Sequence, residues 1–203
     1  MNRFFILIIL IFISCNSDET NNVIYSELDN PVYLDDNGVT VKAKEWAEVG
    51  MTGQLNGVTY IVANREILED MIDEFGNTNH NLNIYCTTKI TDMSYLFYSS
   101  NSSSTFNQSL DSWDVSNVTD MSNMFDGASN FNRSINLWDV SSVINMSYMF
   151  SGAKEFNQEI NDWNVANVTN MSSMFANAFS FNNPLNNWDV SSVTDMNRMF
   201  RDE

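Results

Sequence analysis

The sequence is poor in the side chains on which nucleic-acid-binding proteins and many enzymes depend. It has nine Lys and Arg against 26 Asp and Glu, for a net charge of -17, and a single histidine. A phosphate backbone requires clustered basic side chains, so this balance argues against a nucleic-acid partner. One histidine cannot supply a Ser-His-Asp or Cys-His set, and no carboxylate pair stands apart from the repeats described below. The sequence therefore predicts a protein that is not an enzyme.

Cysteine, proline and glycine are also scarce, with two, two and seven residues respectively. The two cysteines are Cys15 and Cys86. If the thiol of Cys15 is covalently modified, Cys86 has no second cysteine with which to pair, so we expect no intramolecular disulfide bond. Cys86 follows two apolar residues, which favours a small buried side chain over a reactive thiol. Asn and Ser are abundant instead, and there are 12 methionines. This unusual composition is typical of a repeated motif.

The first 15 residues predict an export signal. Arg3 precedes an apolar run over residues 4–13, which is too short to span a hydrocarbon core of roughly 30 Å and is typical of a signal peptide. The run ends in Ile13-Ser14-Cys15, which resembles a bacterial lipobox. The resemblance implies lipid attachment at Cys15, which would anchor the chain stably. An ordinary signal peptide with an incidental cysteine is the alternative.

Residues 16–22 are polar and predict a tether that cannot bury a core. The acidic residues in this tether resemble the export signal of surface lipoproteins in Bacteroidetes-type bacteria. The resemblance implies an outer-membrane lipoprotein that is exposed at the cell surface. A lipoprotein that faces the periplasm is the alternative.

Residues 23–82 predict a small α+β cap. Short alternating segments are separated by turn signals, and Asn56-Gly57 between Leu55 and Val58 indicates a hairpin. The spacing of apolar residues predicts a helix over 65–75 with Asn64 as its N-cap. The acidic opposite face of that helix could bind a cation, but a solvated face is the simpler interpretation.

Residues 83–203 predict a repeat array of about five units, of which the first is degenerate and the last incomplete. Phenylalanine recurs every 25 residues from Phe106 to Phe181, and tryptophan recurs at the same period from Trp113 to Trp188. Neither half of a unit can bury its apolar side alone, but stacked copies can. The incomplete last unit has no closing cap, which predicts that it frays, that another segment covers it, or that the product is truncated.

Each unit combines two patterns. The spacing from Leu110 to Val118 matches that of leucine-rich repeats, with a short strand expected around Trp113–Val115. Met121, Met124, Phe125 and Ala128 then follow at helical spacing, which predicts a short helix. The methionines are expected to fill the core rather than to bind a partner or a soft metal.

Two ladders of identical residues are expected to be structural. The tryptophans should lie in the core, and the asparagines should form a buried amide ladder that satisfies backbone groups between units. Metal binding by the asparagines and the neighbouring acidic column is the alternative, although no compact calcium-ligand spacing is present. The ladder residues are Asn107, Asn132, Asn157, Asn182, Trp113, Trp138, Trp163 and Trp188.

The segment Trp188-Asp-Val-Ser-Ser-Val-Thr-Asp-Met-Asn-Arg-Met-Phe200 and its copies resemble the BspA-like leucine-rich-repeat surface proteins, in particular the 25-residue branch also found in mycoplasma surface lipoproteins. The resemblance covers about residues 83–203. It implies a repeat solenoid with a short parallel strand and a short helix in each 25-residue coil, preceded by the α+β cap. It also implies adhesion or partner binding at the cell surface.

The resulting functional hypothesis is a lipid-anchored recognition module that binds a protein or glycan through exposed columns of the array. A structural, calcium-stabilised spacer without a specific ligand is the alternative; otherwise no cofactor is expected. The candidate binding face comprises Ser112, Asp114, Ser116, Leu137, Asp139, Ser141, Asp162, Asn164, Asn187, Asp189 and Ser191.

Overall fold

The computed structural model describes residues 29–73, 76–100 and 104–202. The predicted signal peptide, Cys15 and the tether over 16–22 lie outside the described residues. Within the described part of the chain, no helix combines the length and the apolar character needed to cross a bilayer.

Two small sheets open the described chain. Strand β1 (Val32–Leu34) pairs antiparallel with β2 (Val41–Ala43). Strands β3 (Thr52–Leu55) and β4 (Val58–Val62) form the second antiparallel pair. Their connection is Asn56-Gly57, with φ angles of 52° and 79°, which suits a two-residue turn. The predicted hairpin is therefore confirmed.

A short helix, α1 (Arg65–Glu69), follows the hairpin. The Asn64 side chain accepts the N–H of Ile67 at 3.0 Å, so the predicted N-cap is confirmed. The prediction that the helix continues to residue 75 is wrong. The N–H groups of Met71 and Ile72 bond to carbonyls three residues back, which tightens the last turn and ends the α-helix.

A strand at the start of the repeats joins the second sheet of the cap. A 3-10 turn at Leu82–Ile84 leads into β5 (Tyr85–Cys86), which pairs parallel with β4. Cys86 is fully buried, and its thiol donates to the carbonyl of Val41 at 3.3 Å. Burial raises the pKa of this thiol despite the opposing hydrogen bonds of Thr88. Cys86 therefore behaves as a small core residue.

The repeat units lie side by side in register. We number them 1 (83–105), 2 (106–130), 3 (131–155), 4 (156–180) and 5 (181–203). Isolated parallel bridges join them at one position per unit, and the bridged residues are Asp92, Asp120, Asn145, Asn170 and Asp195. Residues 25 positions apart, or 28 apart across the first junction, thus become spatial neighbours.

Two stacks of phenylalanine rings run through the units. Phe150 of unit 3 and Phe156 of unit 4 stack with centroids 4.0 Å apart. Phe150 also stacks on Phe125 and Phe175, each at 5.6 Å and within 8° of parallel. The rings between Phe97 and Phe156 are almost fully buried. Offset stacking of this kind adds to the free energy gained by burying the rings.

The tryptophans form a ladder that ties each unit to the preceding one. The indole N–H of Trp138 donates to the carbonyl of Leu110, and the indole N–H of Trp163 donates to the carbonyl of Ile135, at 3.3 and 3.1 Å. Both indoles are at most 4% exposed. A buried indole needs such a partner because leaving its N–H unpaired would cost free energy.

The segment expected as a helix at Met121–Ala128 is a series of tight turns, so that prediction is wrong. The N–H groups of Met121, Asn123, Phe125 and Gly127 donate to carbonyls of unit 3, at 2.7–3.0 Å. The intervening N–H groups of Met124 and Asp126 bond three residues back within their own unit, and that of Ser122 bonds to the Asp120 side chain. Since every second N–H points to the next unit, no continuous α-helical ladder can form.

The expected strand at Trp113–Val115 is also absent. The N–H of Trp113 bonds to the carbonyl of Leu110, three residues back, and the N–H of Val118 bonds in the same way to Val115. These turns use N–H groups that a strand would donate to a neighbouring strand. The parallel bridges lie instead at the column of Asp120.

Left-handed residues recur in the turn segment. Asn123, Tyr148, Ser173 and Arg198 share one column and have φ angles of 53° to 58°. Gly127, Gly152 and Asn177 share a second column, with φ angles of 56° to 73°. Non-glycine residues in this conformation carry backbone strain of about 1–2 kcal/mol. The fold tolerates that strain because it directs alternate N–H groups toward the next unit.

The backbone hydrogen bonds that join one turn segment to the next run in one direction along the stack. N–H groups of each turn segment donate to the unit that follows, whereas those of Thr119 and Ile144, just before it, donate to the preceding unit. Carbonyls of the turn segment of unit 1 therefore have no preceding unit to bond with. There the guanidinium of Arg65 donates to the carbonyls of Asp92 and Ser94, at 3.1 and 2.6 Å. Arg65 also pairs with the carboxylates of Glu69 and Asp92. This side chain therefore supplies the donors that a preceding unit would have supplied.

Replacing Tyr148 tests the turn geometry. We expect the free energy of unfolding of the Tyr148→Gly variant to be about 1 kcal/mol higher than that of the Tyr148→Ala variant, because only glycine adopts a left-handed conformation without strain. In a helix the order would be reversed, with alanine favoured by about 1 kcal/mol. Urea unfolding followed by circular dichroism measures the difference, and a more stable alanine variant would contradict the turn assignment.

Replacing Trp163 tests the indole ladder. We expect Trp163→Phe to lower the free energy of unfolding by about 2 kcal/mol, because the smaller ring leaves space in the core and removes a buried hydrogen bond. The matched control is Trp46→Phe, since Trp46 is 50% exposed and should change stability by less than about 0.5 kcal/mol. Equal losses at the two positions in chemical denaturation would show that the ladder contributes nothing specific.

Candidate functional site

A groove crosses the outer surface of units 3 to 5. It has a volume of about 420 Å³ and is lined by Asn136, Leu137, Glu159, Asn161, Asp162, Asn183 and Pro184. These residues come from the segments between the asparagine and tryptophan ladders. Their spacing in the sequence follows the repeat, so equivalent positions of successive units meet in one surface.

A smaller cavity continues the groove toward the cap. It has a volume of about 170 Å³, and it shares Asn136 and Leu137 with the larger cavity. Val39, in the turn between β1 and β2, lines its far side together with Asp111. The Asn37 side chain holds that turn by accepting the N–H groups of Val39 and Thr40, both at 2.9 Å. The cap therefore bounds one end of the groove.

Hydrogen bonds between units orient several side chains of the groove. The Asn187 side chain donates to the Asp162 carboxylate at 3.0 Å, and the Asn187 N–H donates to the Asn161 side chain at 3.1 Å. The Ser134 hydroxyl contacts the Asn136 amide oxygen at 2.8 Å. A surface held in this way loses little conformational entropy when a partner binds.

The chemistry of the groove is that of planar polar groups around a small apolar centre. Leu137 is 46% exposed and lies beside amides and the carboxylates of Glu159 and Asp162. Amides offer both donors and acceptors, whereas carboxylates accept. This combination can bind hydroxyl or peptide groups, and the carboxylates disfavour anionic partners.

The structure separates the predicted binding face into two parts. Ser112 and Asp114 are 8% and 3% exposed, so including them in an exposed face was wrong. Unit 1 and the cap cover them together. The Thr88 hydroxyl of unit 1 donates to the Asp114 carboxylate at 2.6 Å, the Ser112 hydroxyl donates to the Asn83 carbonyl at 2.9 Å, and the N–H of Val41 in β2 donates to the Ser112 carbonyl at 2.9 Å. The exposed members of the predicted face therefore all lie in units 3 to 5, and Ser116 of unit 2 is half-buried.

The remaining predicted residues lie in exposed or half-buried positions. Ser116 and Ser141 are half-buried. The exposed members are Leu137, Asp139, Asp162, Asn164, Asn187, Asp189 and Ser191. Only Leu137 and Asp162 line the groove. Sequence reasoning missed the other lining residues. Glu159 and Asn183 occupy repeat positions whose residues differ from unit to unit, and that variability on a regular frame was the available signal.

The asparagine ladder forms, but at the surface. The side-chain oxygen of Asn107 accepts the backbone N–H of Asn132 at 3.1 Å, and the same contact links Asn132 to Asn157 and Asn157 to Asn182, at 3.0 and 2.9 Å. These side chains satisfy backbone groups between units. They are exposed or half-buried, so the expectation of a buried network was wrong, because the ladder lies at the outer turn of each unit.

The acidic column that was considered for metal binding has a structural role in each unit. The side-chain oxygens of Asp139, Asn164 and Asp189 accept the N–H two residues ahead, at 3.0–3.3 Å. Aspartate and asparagine make this turn equally well, since each offers the same oxygen. The Ser191 hydroxyl and N–H lower the pKa of Asp189 by stabilising its charged form.

Carboxylates elsewhere in the array respond to their surroundings. Burial raises the pKa of Asp126, while a hydrogen bond with Ser151 opposes the rise. Partial burial also acts on Asp92, but the Ser94 hydrogen bonds and the Arg65 charge lower its pKa. Within residues 29–73, 76–100 and 104–202, no three His, Cys, Asp or Glu side chains form a group that could hold a metal ion.

The fold and the groove define a tandem-repeat protein with a regular outer surface. Comparison with protein families then places it: the family described as "Mycoplasma protein of unknown function, DUF285" matches residues 59–110 and 99–203. The chain belongs to this family. Comparisons with curated proteins and with solved structures gave no match.

Replacing Asp139 separates a turn-forming role from a metal-binding one. We expect Asp139→Asn to leave the melting temperature nearly unchanged, because the amide oxygen can accept the N–H of Ser141 as the carboxylate does. Asp139→Ala should lower the free energy of unfolding by about 1 kcal/mol. Thermal unfolding with calcium and with chelator checks both, and a calcium-dependent loss in the asparagine variant would favour a metal site.

Proposed function

We propose that the protein is a non-enzymatic recognition module displayed at the bacterial surface. Its repeat units would form a solenoid of the leucine-rich-repeat type, with turns in place of the helix. The groove over units 3 to 5 would bind a protein or glycan partner. The observation that carries the proposal is the groove itself, in which polar side chains from three successive units surround Leu137.

The regular frame supports recognition rather than catalysis. Each unit contributes a short outer segment whose position is set by the ladders. Most groove-lining positions differ from unit to unit, as Leu137 and Asp162 do, although Asn136 and Asn161 are identical. Such a surface can be extended and varied without altering the core. The lining offers amides and carboxylates but no nucleophile paired with a base, which is the arrangement that covalent catalysis requires.

Anchoring is part of the proposal and depends on the sequence. The lipobox-like segment ending at Cys15 supports lipid attachment, and the tether over 16–22 would hold the folded part away from the membrane. The acidic residues in that tether resemble the export signal of surface lipoproteins, and this resemblance supports a location on the outer face of the outer membrane. Cys15→Ser should abolish incorporation of a labelled fatty acid, and unchanged labelling would refute lipid attachment there.

The calcium-stabilised spacer remains the second hypothesis, but no observation favours it. The acidic column is already occupied by turn hydrogen bonds. A chelator that lowered the melting temperature substantially would support the spacer and weaken the recognition proposal.

The groove is tested in a binding assay. Residues 16–203 are produced as a soluble protein, and its binding to purified matrix proteins and to a glycan panel is measured. We expect at least one partner to lose about tenfold or more in affinity with Leu137→Ser combined with Asn161→Ala, because these side chains lie at the centre of the surface. The matched control is Asn117→Ala combined with Ser192→Ala, two exposed positions outside the groove. Equal losses in the two double variants, or no partner at all, would refute the groove.

A further inference from the structure

A second surface feature lies where the cap meets unit 1, apart from the groove. Tyr95 and Tyr98 form an edge-to-face pair with ring centroids 5.6 Å apart. They line a cavity of about 260 Å³ together with Glu69, Ile72, Asp73 and Leu96. None of these residues lines the groove over units 3 to 5. We call this feature the tyrosine pocket.

The backbone of Tyr95 has a strained conformation. Its φ angle is 60°, a left-handed conformation that glycine adopts without strain. Its side chain is also 55% exposed, so burial offsets little of that strain. The strain belongs to the whole column, so it is the exposed aromatic side chain and its neighbours, rather than the backbone, that call for an explanation. The fold itself requires only the left-handed backbone here, as Asn123 and Ser173 show at the same position of later units.

The charge around the tyrosine pocket is negative. Glu69 and Asp73 contribute carboxylates to its wall. The nearest guanidinium, that of Arg65, is already paired with Glu69 at 2.6 Å and with Asp92 at 3.1 Å. Two carboxylates thus contact this one guanidinium, Asp73 adds a further carboxylate to the pocket wall, and the chain has a net charge of -17. A positively charged group would gain from this field, whereas an anion would be repelled.

We propose that the tyrosine pocket binds a cationic side chain, an arginine or lysine, of a partner protein. Aromatic ring faces attract cations through their quadrupole, and the carboxylates of Glu69 and Asp73 add direct charge complementarity. Ile72 and Leu96 would contact the aliphatic part of such a side chain. The site does not depend on the groove and would remain if the groove bound nothing.

The probe is the neutral-ended peptide acetyl-Gly-Arg-Gly-amide, titrated into the folded chain and followed by the ring resonances of Tyr95 and Tyr98. We expect these resonances to shift with saturation. The same peptide with citrulline in place of arginine should cause little shift, because it keeps the shape but lacks the charge. Equal binding of the citrulline peptide would overturn the cation assignment.

Matched variants separate the pocket from general attraction to an acidic protein. We expect Tyr95→Leu to weaken arginine-peptide binding by about three- to fivefold, the size of one exposed cation–aromatic contact. Tyr148→Leu is the control, since Tyr148 shares the left-handed column and is 42% exposed but does not line this pocket. Circular dichroism confirms that both variants fold.

Three results would overturn the proposal. Binding by the Tyr95→Leu variant as tight as that of the parent chain would remove the aromatic contribution. Equal weakening by Tyr148→Leu would indicate attraction to the net charge alone. Shifts of the same two tyrosines with neutral methyl glycosides, but not with the arginine peptide, would assign the pocket to a glycan instead.

Discussion

Directional backbone hydrogen bonding between repeat units is the constraint on which the structure depends. Alternate N–H groups of each turn segment donate to carbonyls of the next unit, as Phe125 does to Met149 and Phe150 does to Met174, each at 2.9 Å. This pairing holds neighbouring units in one register. The phenylalanine stacks, the tryptophan ladder and the asparagine ladder follow from it, because each needs equivalent residues to meet at fixed separation.

The cap supplies hydrogen-bond donors to the first unit and also limits the exposed surface of the array. Arg65 supplies donors to the carbonyls of unit 1, and β2 of the cap together with unit 1 covers Ser112 and Asp114 of unit 2. Val39 of the cap then bounds one end of the groove. The same small domain therefore closes one end of the stack, brings Glu69 beside the tyrosine pair and decides where the exposed columns begin.

The surface charge of the array can vary because aspartate and asparagine form the same turn. Aspartate and asparagine alternate in the turn-forming columns, since either supplies the oxygen that accepts an N–H two residues ahead. Members of the family could therefore change surface charge without changing the backbone.

Polarity and local turn chemistry in the sequence alone determined the repeat period, the buried aromatic columns, the Asn56-Gly57 hairpin and the Asn64 cap. Only the tertiary structure decided the path of Met121–Ala128, because tight turns and a helix place apolar side chains at similar spacing. The difference lies in where the N–H groups go, and their acceptors belong to another unit. The groove, the tyrosine pocket and the burial of Asp114 were likewise beyond local reasoning, since each depends on which distant segments are brought together.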